Sequence, residues 1–161
     1  MRTIVLPLLA LGLSCSPAVA AGDLTGCYKR SYDAAHLARN PRQKVTVITV
    51  RVAPAPAGTD APFSTDVDVA LRASKADWNA GGPCKPQGES LLCDFSDTGG
   101  GALLARHGSG LKLEITGEKG LGLEGIGLGG EGGERTFKYL TKPDDAVFLL
   151  DAAPPGTCEK P

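Results

Sequence analysis

The chain has 161 residues, 42% of them hydrophobic and 22% charged, with 17 Lys and Arg against 18 Asp and Glu. A net charge of −1 gives no electrostatic reason to expect nucleic acid or an anionic membrane as partner. The length suits one domain able to bury a real core.

In chain order, residues 1–20 begin with one basic residue, Arg2, continue through an apolar run from Ile4 to Leu13, and close on Ser14, Ser16, Pro17 and the small triplet Ala18-Val19-Ala20. This is the order of a secretory signal peptide cleaved after Ala20, which leaves residues 21–161 as a single domain, periplasmic or secreted. The apolar run falls short of the roughly 20 residues a bilayer span needs, and no transmembrane segment is expected elsewhere. A lipoprotein anchored at Cys15 ranks second, because Gly12 stands where such leaders want a leucine-like residue.

The next stretch, 28–42 (YKRSYDAAHLARNPR), is strongly basic, unlike the rest of the chain. Asp33 can cap a short helix over Ala34–Arg39, with Ala34, Leu37 and Ala38 inward and Asn40-Pro41 as its stop. Residues 44–53 are rich in β-branched side chains, and their apolar positions switch from odd to even, which points to a bulge or a strand covered on both faces. After a Pro/Ala loop (53–62), residues 63–73 alternate strictly: Phe63, Thr65, Val67, Val69, Leu71 and Ala73 on one face, Ser64, Asp66, Asp68, Ala70 and Arg72 on the other. Trp78 falls in what reads as a loop over 75–83. Further strands are expected over about 89–95, 102–106, 111–116, 121–128, 134–141 and 146–151, with His107-Gly108-Ser109-Gly110 as a hairpin turn.

If export removes Cys15, four cysteines remain: Cys27, Cys84, Cys93 and Cys158. Four cysteines allow three pairings. The preferred one is Cys84–Cys93, flanking a turn at Pro86-Gln87-Gly88, with Cys27–Cys158 joining the two ends of the mature chain. Zinc is disfavoured because there is no C-x-x-C and neither His36 nor His107 adjoins a cysteine. No cofactor or metal is expected.

Other motifs fail on context. Gly120, Gly122 and Gly125 spell G-x-G-x-x-G, but no helix can follow. Leu121 and Leu123 differ in parity from Ile126 and Leu128, so Glu124-Gly125 reads as a register-resetting bulge. Asp94–Gly99 resembles the start of a calcium loop, yet the twelfth position is Ala105 rather than glutamate; a turn is the better reading. The acids Asp66 and Asp68 share one strand face, which suits a solvated surface better than a two-carboxylate cleft. There is no G-x-S-x-G nucleophile elbow.

About eight short strands, close turns and almost no helix predict an all-β, single antiparallel domain, an up-and-down barrel in preference to a sandwich. The layout resembles calycin-type barrels, and Gly26-Cys27-Tyr28 stands where those often carry G-x-W on the first strand. The resemblance implies the barrel and brings no function with it. The expected role is a non-enzymatic binding protein of the envelope or secreted milieu, with an unknown protein or envelope component as partner and Tyr32, His36, Arg39, Arg42 and Trp78 as candidate contacts. The alternatives are a carrier with a small apolar ligand inside the barrel, or an inhibitor of an envelope enzyme.

Overall fold

The structure is a computed structural model and describes residues 24–72, 74–126, 137–141 and 144–159. The expected leader, Cys15 included, lies outside the described residues, as do Ala73 and Leu128. Ten strands are described: β1 (Gly26–Ser31), β2 (Val45–Pro54), β3 (Phe63–Leu71), β4 (Asp77–Gln87), β5 (Ser90–Asp94), β6 (Gly101–His107), β7 (Gly110–Ile115), β8 (Leu121–Ile126), β9 (Phe137–Leu140) and β10 (Val147–Ala153). Helix α1 (Ala34–Arg39) follows β1, and a 3-10 turn (Pro155–Thr157) follows β10.

From β1 to β7 each strand pairs antiparallel with the next, and β10 closes the ring between β7 and β1. The protein is therefore a closed eight-stranded up-and-down barrel, in line with the sequence pattern. The β8–β9 hairpin is an insertion before the closing strand. It docks on β4, whose residues Asp77–Asn79 pair with β8 while Cys84–Gln87 pair with β5.

The inside of the barrel follows from alternation. Thr65, Val67, Val69 and Leu71 of β3 are buried while Asp66 between them is exposed. In β2 the register with β3 shifts between Val45 and Val47, so burial passes from Val45 to Ile48, Val50 and Val52. That bulge is the odd-to-even switch seen in the sequence. Side chains fill the space enclosed: Val50, Val67, Leu91, Leu104, Leu111 and Leu113 are each 0% exposed, and Trp78 and Phe148 are 1% exposed. A ligand-sized hollow would leave solvent-sized space against these walls. Each such aliphatic or aromatic side chain contributes about 1.5–3 kcal/mol by leaving water.

Two strands escape the sequence pattern. β1 is short, and two of its six residues are basic. β4 (DWNAGGPCKPQ) holds two glycines and two prolines and reads as a loop. Its prolines survive because each has an open side. Pro83 pairs with Ser64 of β3 but lies between the segments bound to β8 and β5. Pro86 pairs with Leu91 of β5, beyond the reach of β3, so neither missing N–H need cost a ladder bond. The loop reading of 75–83 is thus corrected: Trp78 stands in β4, buried, and its Nε1 donates to Ser74 Oγ at 2.9 Å.

The glycine run serves backbone contact. A Cβ on Gly120 would lie 2.0 Å from the Leu140 carbonyl oxygen, and one on Gly122 would lie 1.9 Å from that of Thr98. Only glycine lets β8 approach β9 and the β5–β6 connection this closely. The expected bulge at Glu124-Gly125 is absent: Glu124 and Gly125 pair with Asn79 and Trp78 in unbroken register. The glycines relieve crowding directly, so no residue need be inserted.

Helix α1 forms where expected. The Asp33 carboxylate accepts from the His36 N–H at 2.7 Å, which caps the first turn. Its inward face is corrected, since Ala34 and Ala38 are exposed and only His36 and Leu37 are half-buried. The helix is held instead by Arg72, whose guanidinium reaches the carbonyls of Leu37, Asn40 and Pro41. A cation there satisfies orphan carbonyls and complements the negative end of the helix.

Candidate functional site

The residues singled out by sequence divide between structural and exposed roles. Both preferred disulfides are present, Cys27–Cys158 and Cys84–Cys93. Cys84 and Cys93 face each other across the β4–β5 hairpin, inside the core. Cys27 points outward and holds the tail after β10 against β1. Two intramolecular disulfides fit an oxidising periplasmic or extracellular location. No helix among the described residues is long and apolar enough to cross a membrane.

The basic segment is less available than its composition suggests. Arg30 pairs with Asp151 at 3.1 Å, and Arg42 with Asp144 at 2.9 Å. His36 Nε2 lies 2.9 Å from Gln43 Oε1, and its ring packs on Tyr32 with centroids 4.7 Å apart. Burial pushes the Tyr32 phenol up; the Arg30 guanidinium pulls it partly back, and the Asp145 carboxylate adds to the rise. Arg39 alone among the proposed contacts is exposed with no carboxylate partner among the described residues. Trp78, 1% exposed, offers almost no surface to a partner; the Lys138 ammonium lies 4.6 Å from its ring centroid.

Asp144 and Asp145, adjacent in sequence, behave differently. Asp144 is the half-exposed partner of Arg42. Asp145 is 2% exposed, and its carboxylate accepts from the backbone N–H groups of Lys44 at 2.9 Å and Val45 at 3.2 Å. It ties the turn before β10 to the first residues of β2.

A concavity that sequence reading missed lies at the opposite end of β2 from α1. The β2–β3 loop overhangs the outer face of β3 and β4 and borders an open groove of about 750 Å³. Ala55 N–H donates to the Pro62 carbonyl at 3.0 Å and closes the loop. The Thr59 hydroxyl lies 2.8 Å from the Pro56 carbonyl, which braces its tip. The floor at Gly81-Gly82-Pro83 carries almost no side chain. Asp60, Asp66 and Asp97 bring three carboxylates to the lining against one ammonium, Lys85. Arg51 approaches Asp66 only to 4.0 Å, with both side chains about half exposed, so it neutralises little. The available signal was a proline-bounded loop (APAPAGTDAP) facing a Gly-Gly-Pro segment. Only the pairing of β4 with β3 places the two together.

The groove holds acceptors and one cation but no histidine or cysteine. Among the described residues no group of three or more His, Cys, Asp or Glu is placed to hold a metal ion. This arrangement suits recognition of a donor-rich or cationic surface. No protein-family model, curated protein or solved structure matches the chain.

Proposed function

We propose that this chain is an exported, non-enzymatic binding module that takes a protein or envelope component on the outside of its barrel, in the groove over β3 and β4. The observation that carries this reading is the packed interior. With most inward side chains at 0–2% exposure, the barrel offers a ligand no internal room among the described residues, so binding falls to the surface. That argues against the carrier alternative. The groove, at about 750 Å³, has the size of an ordinary ligand site. Its excess of carboxylates favours a partner that presents lysine or arginine. Inhibition of an envelope enzyme is one form such binding would take.

The test uses the chain immobilised with both disulfides formed and exposed to envelope extract. Retention of a partner by the wild type, with loss in Asp66→Lys and Asp97→Lys variants and no loss in Arg39→Glu, is the expected result. A partner held equally well by the charge-reversed groove would place the site elsewhere. Saturable uptake of a lipophilic fluorescent probe would revive the carrier.

A further inference from the structure

A second surface stands apart from the groove. Among the described residues four large apolar side chains are well exposed, and three of them share the outer face of β5, β7 and β10: Leu92 at 44%, Val147 at 49% and Leu149 at 44%. The strand register places them on two adjacent outward-facing rows, with Val147 and Leu149 side by side on β10 and Leu92 three strands away on β5. Leu92 pairs with Leu103, Leu103 with Glu114 and Glu114 with Val147, forming one row across the barrel wall. In the next outward-facing row Ala105 pairs with Lys112 and Lys112 with Leu149. At the centre, Lys112 and Glu114 form an ion pair of 2.7 Å along β7. Among the described residues this is the barrel face on which exposed large apolar side chains group, the pattern of an interaction surface.

We propose that this face is a two-fold interface with a second copy of the chain. The central ion pair argues for that occupant because it is self-complementary. Consider a two-fold axis lying in the plane of contact and running across the strands between the two rows. It sets Lys112 of one protomer over Glu114 of its partner and Glu114 over Lys112. The same operation sets Val147 against Leu149 and Leu103 against Ala105, the isologous pattern of a C2 dimer. An axis along the strands would stack like charges, so the pair also selects the antiparallel arrangement. The charges fix orientation while the apolar side chains supply the attraction.

The experiment measures the mass of the purified, oxidised chain by sedimentation at about 100 µM, well above a micromolar dissociation constant. A dimer is expected. Leu149→Lys should weaken association at least about tenfold, the loss typical of a strong interface contact, with the unfolding transition of the dilute monomer unchanged. Lys112→Glu should abolish the dimer and Lys112→Glu/Glu114→Lys should restore it. Mixing Val147→Cys protein with Leu149→Cys protein should give a disulfide cross-link that neither gives alone. A wild-type monomer at this concentration overturns the proposal. So does a dimer indifferent to the charge reversal, or cross-linking through either cysteine variant alone.

Discussion

The two halves of the barrel wall differ on the outside although they bury the same kind of core. The half built from β1 to β4 faces outward with Lys29, Thr49, Arg51, Asp66 and Asp68, and it is braced by ties to distant parts of the chain. Asp145 grips the start of β2, Arg72 holds α1, and Cys158 fastens the tail to β1. The half built from β5, β6, β7 and β10 shows Leu92, Val147 and Leu149 to solvent, and its consecutive strands β5–β6 and β6–β7 pair through local hairpins. Hydrophobic burial constrains only the inward residues of such a wall, so the outward residues are free to record what the surface meets. One half uses its polar groups for self-attachment and for the rim of a groove. The other leaves apolar side chains uncovered. On this contrast, substitutions in the first half should move stability and those in the second should move association.

The largest effect should come from removing the outer disulfide. Cys27→Ser/Cys158→Ser opens a closure spanning 131 residues, and the loop-entropy relation puts its contribution at about 4–5 kcal/mol. Urea unfolding of the double variant checks this, with loss of the cooperative transition at room temperature as the extreme outcome. Next in size, Asp145→Ala should cost about 2–3 kcal/mol, because it strands the N–H groups of Lys44 and Val45, the latter buried, without their acceptor. Asp145→Asn should recover part of that loss. A fall below about 0.5 kcal/mol would mean that water or a neighbour replaces the carboxylate.

A smaller effect is expected at Tyr28, which donates from its hydroxyl to the Leu24 carbonyl at 3.0 Å. Tyr28→Phe should cost about 1 kcal/mol, the usual net worth of such a bond. Burial pushes the Tyr28 phenol above its ordinary value of 10.0, with Arg106 partly opposing. Above pH 10 the unfolded chain releases this proton while the folded chain retains it, so the unfolded state binds fewer protons and stability falls as pH rises. Below that range the contribution is flat. Alkaline titration followed by circular dichroism should show the decline, and Tyr28→Phe should make it shallower while Tyr32 maintains the remainder. The smallest effect on folding belongs to the other half: Leu149→Thr should shift monomer stability by less than about 0.5 kcal/mol, as surface changes do. A large loss there would show that the face is part of the fold.

Much of this molecule was legible before its coordinates. The strict alternation of 63–73, the parity switch in 44–53 and the Asp33 cap are local signals, and the structure places an element at each. The preference among the three cysteine pairings was readable from position, because hairpin neighbours and chain ends are places where closure needs little distortion. β4 was not legible. Gly81, Gly82, Pro83 and Pro86 lower its strand propensity, and only its changing neighbours show why they are tolerated. The groove was lost with it. The ion pairing of the basic segment was not legible because Asp144 and Asp151, which pair with Arg42 and Arg30, lie about a hundred residues further on.

What the sequence determined by itself is the extended chain and its inside-outside alternation, with a preference among the three possible sulfur pairings. These depend on side-chain period and on the residue types beside each turn, which are near-neighbour properties. Only the tertiary structure decided that the interior is packed, that Trp78 is core, that Asp145 is a clamp and that one outer face is apolar. Each of those is set by residues brought together across the ring. One-dimensional pattern cannot report which outward positions become neighbours until barrel closure has fixed the register.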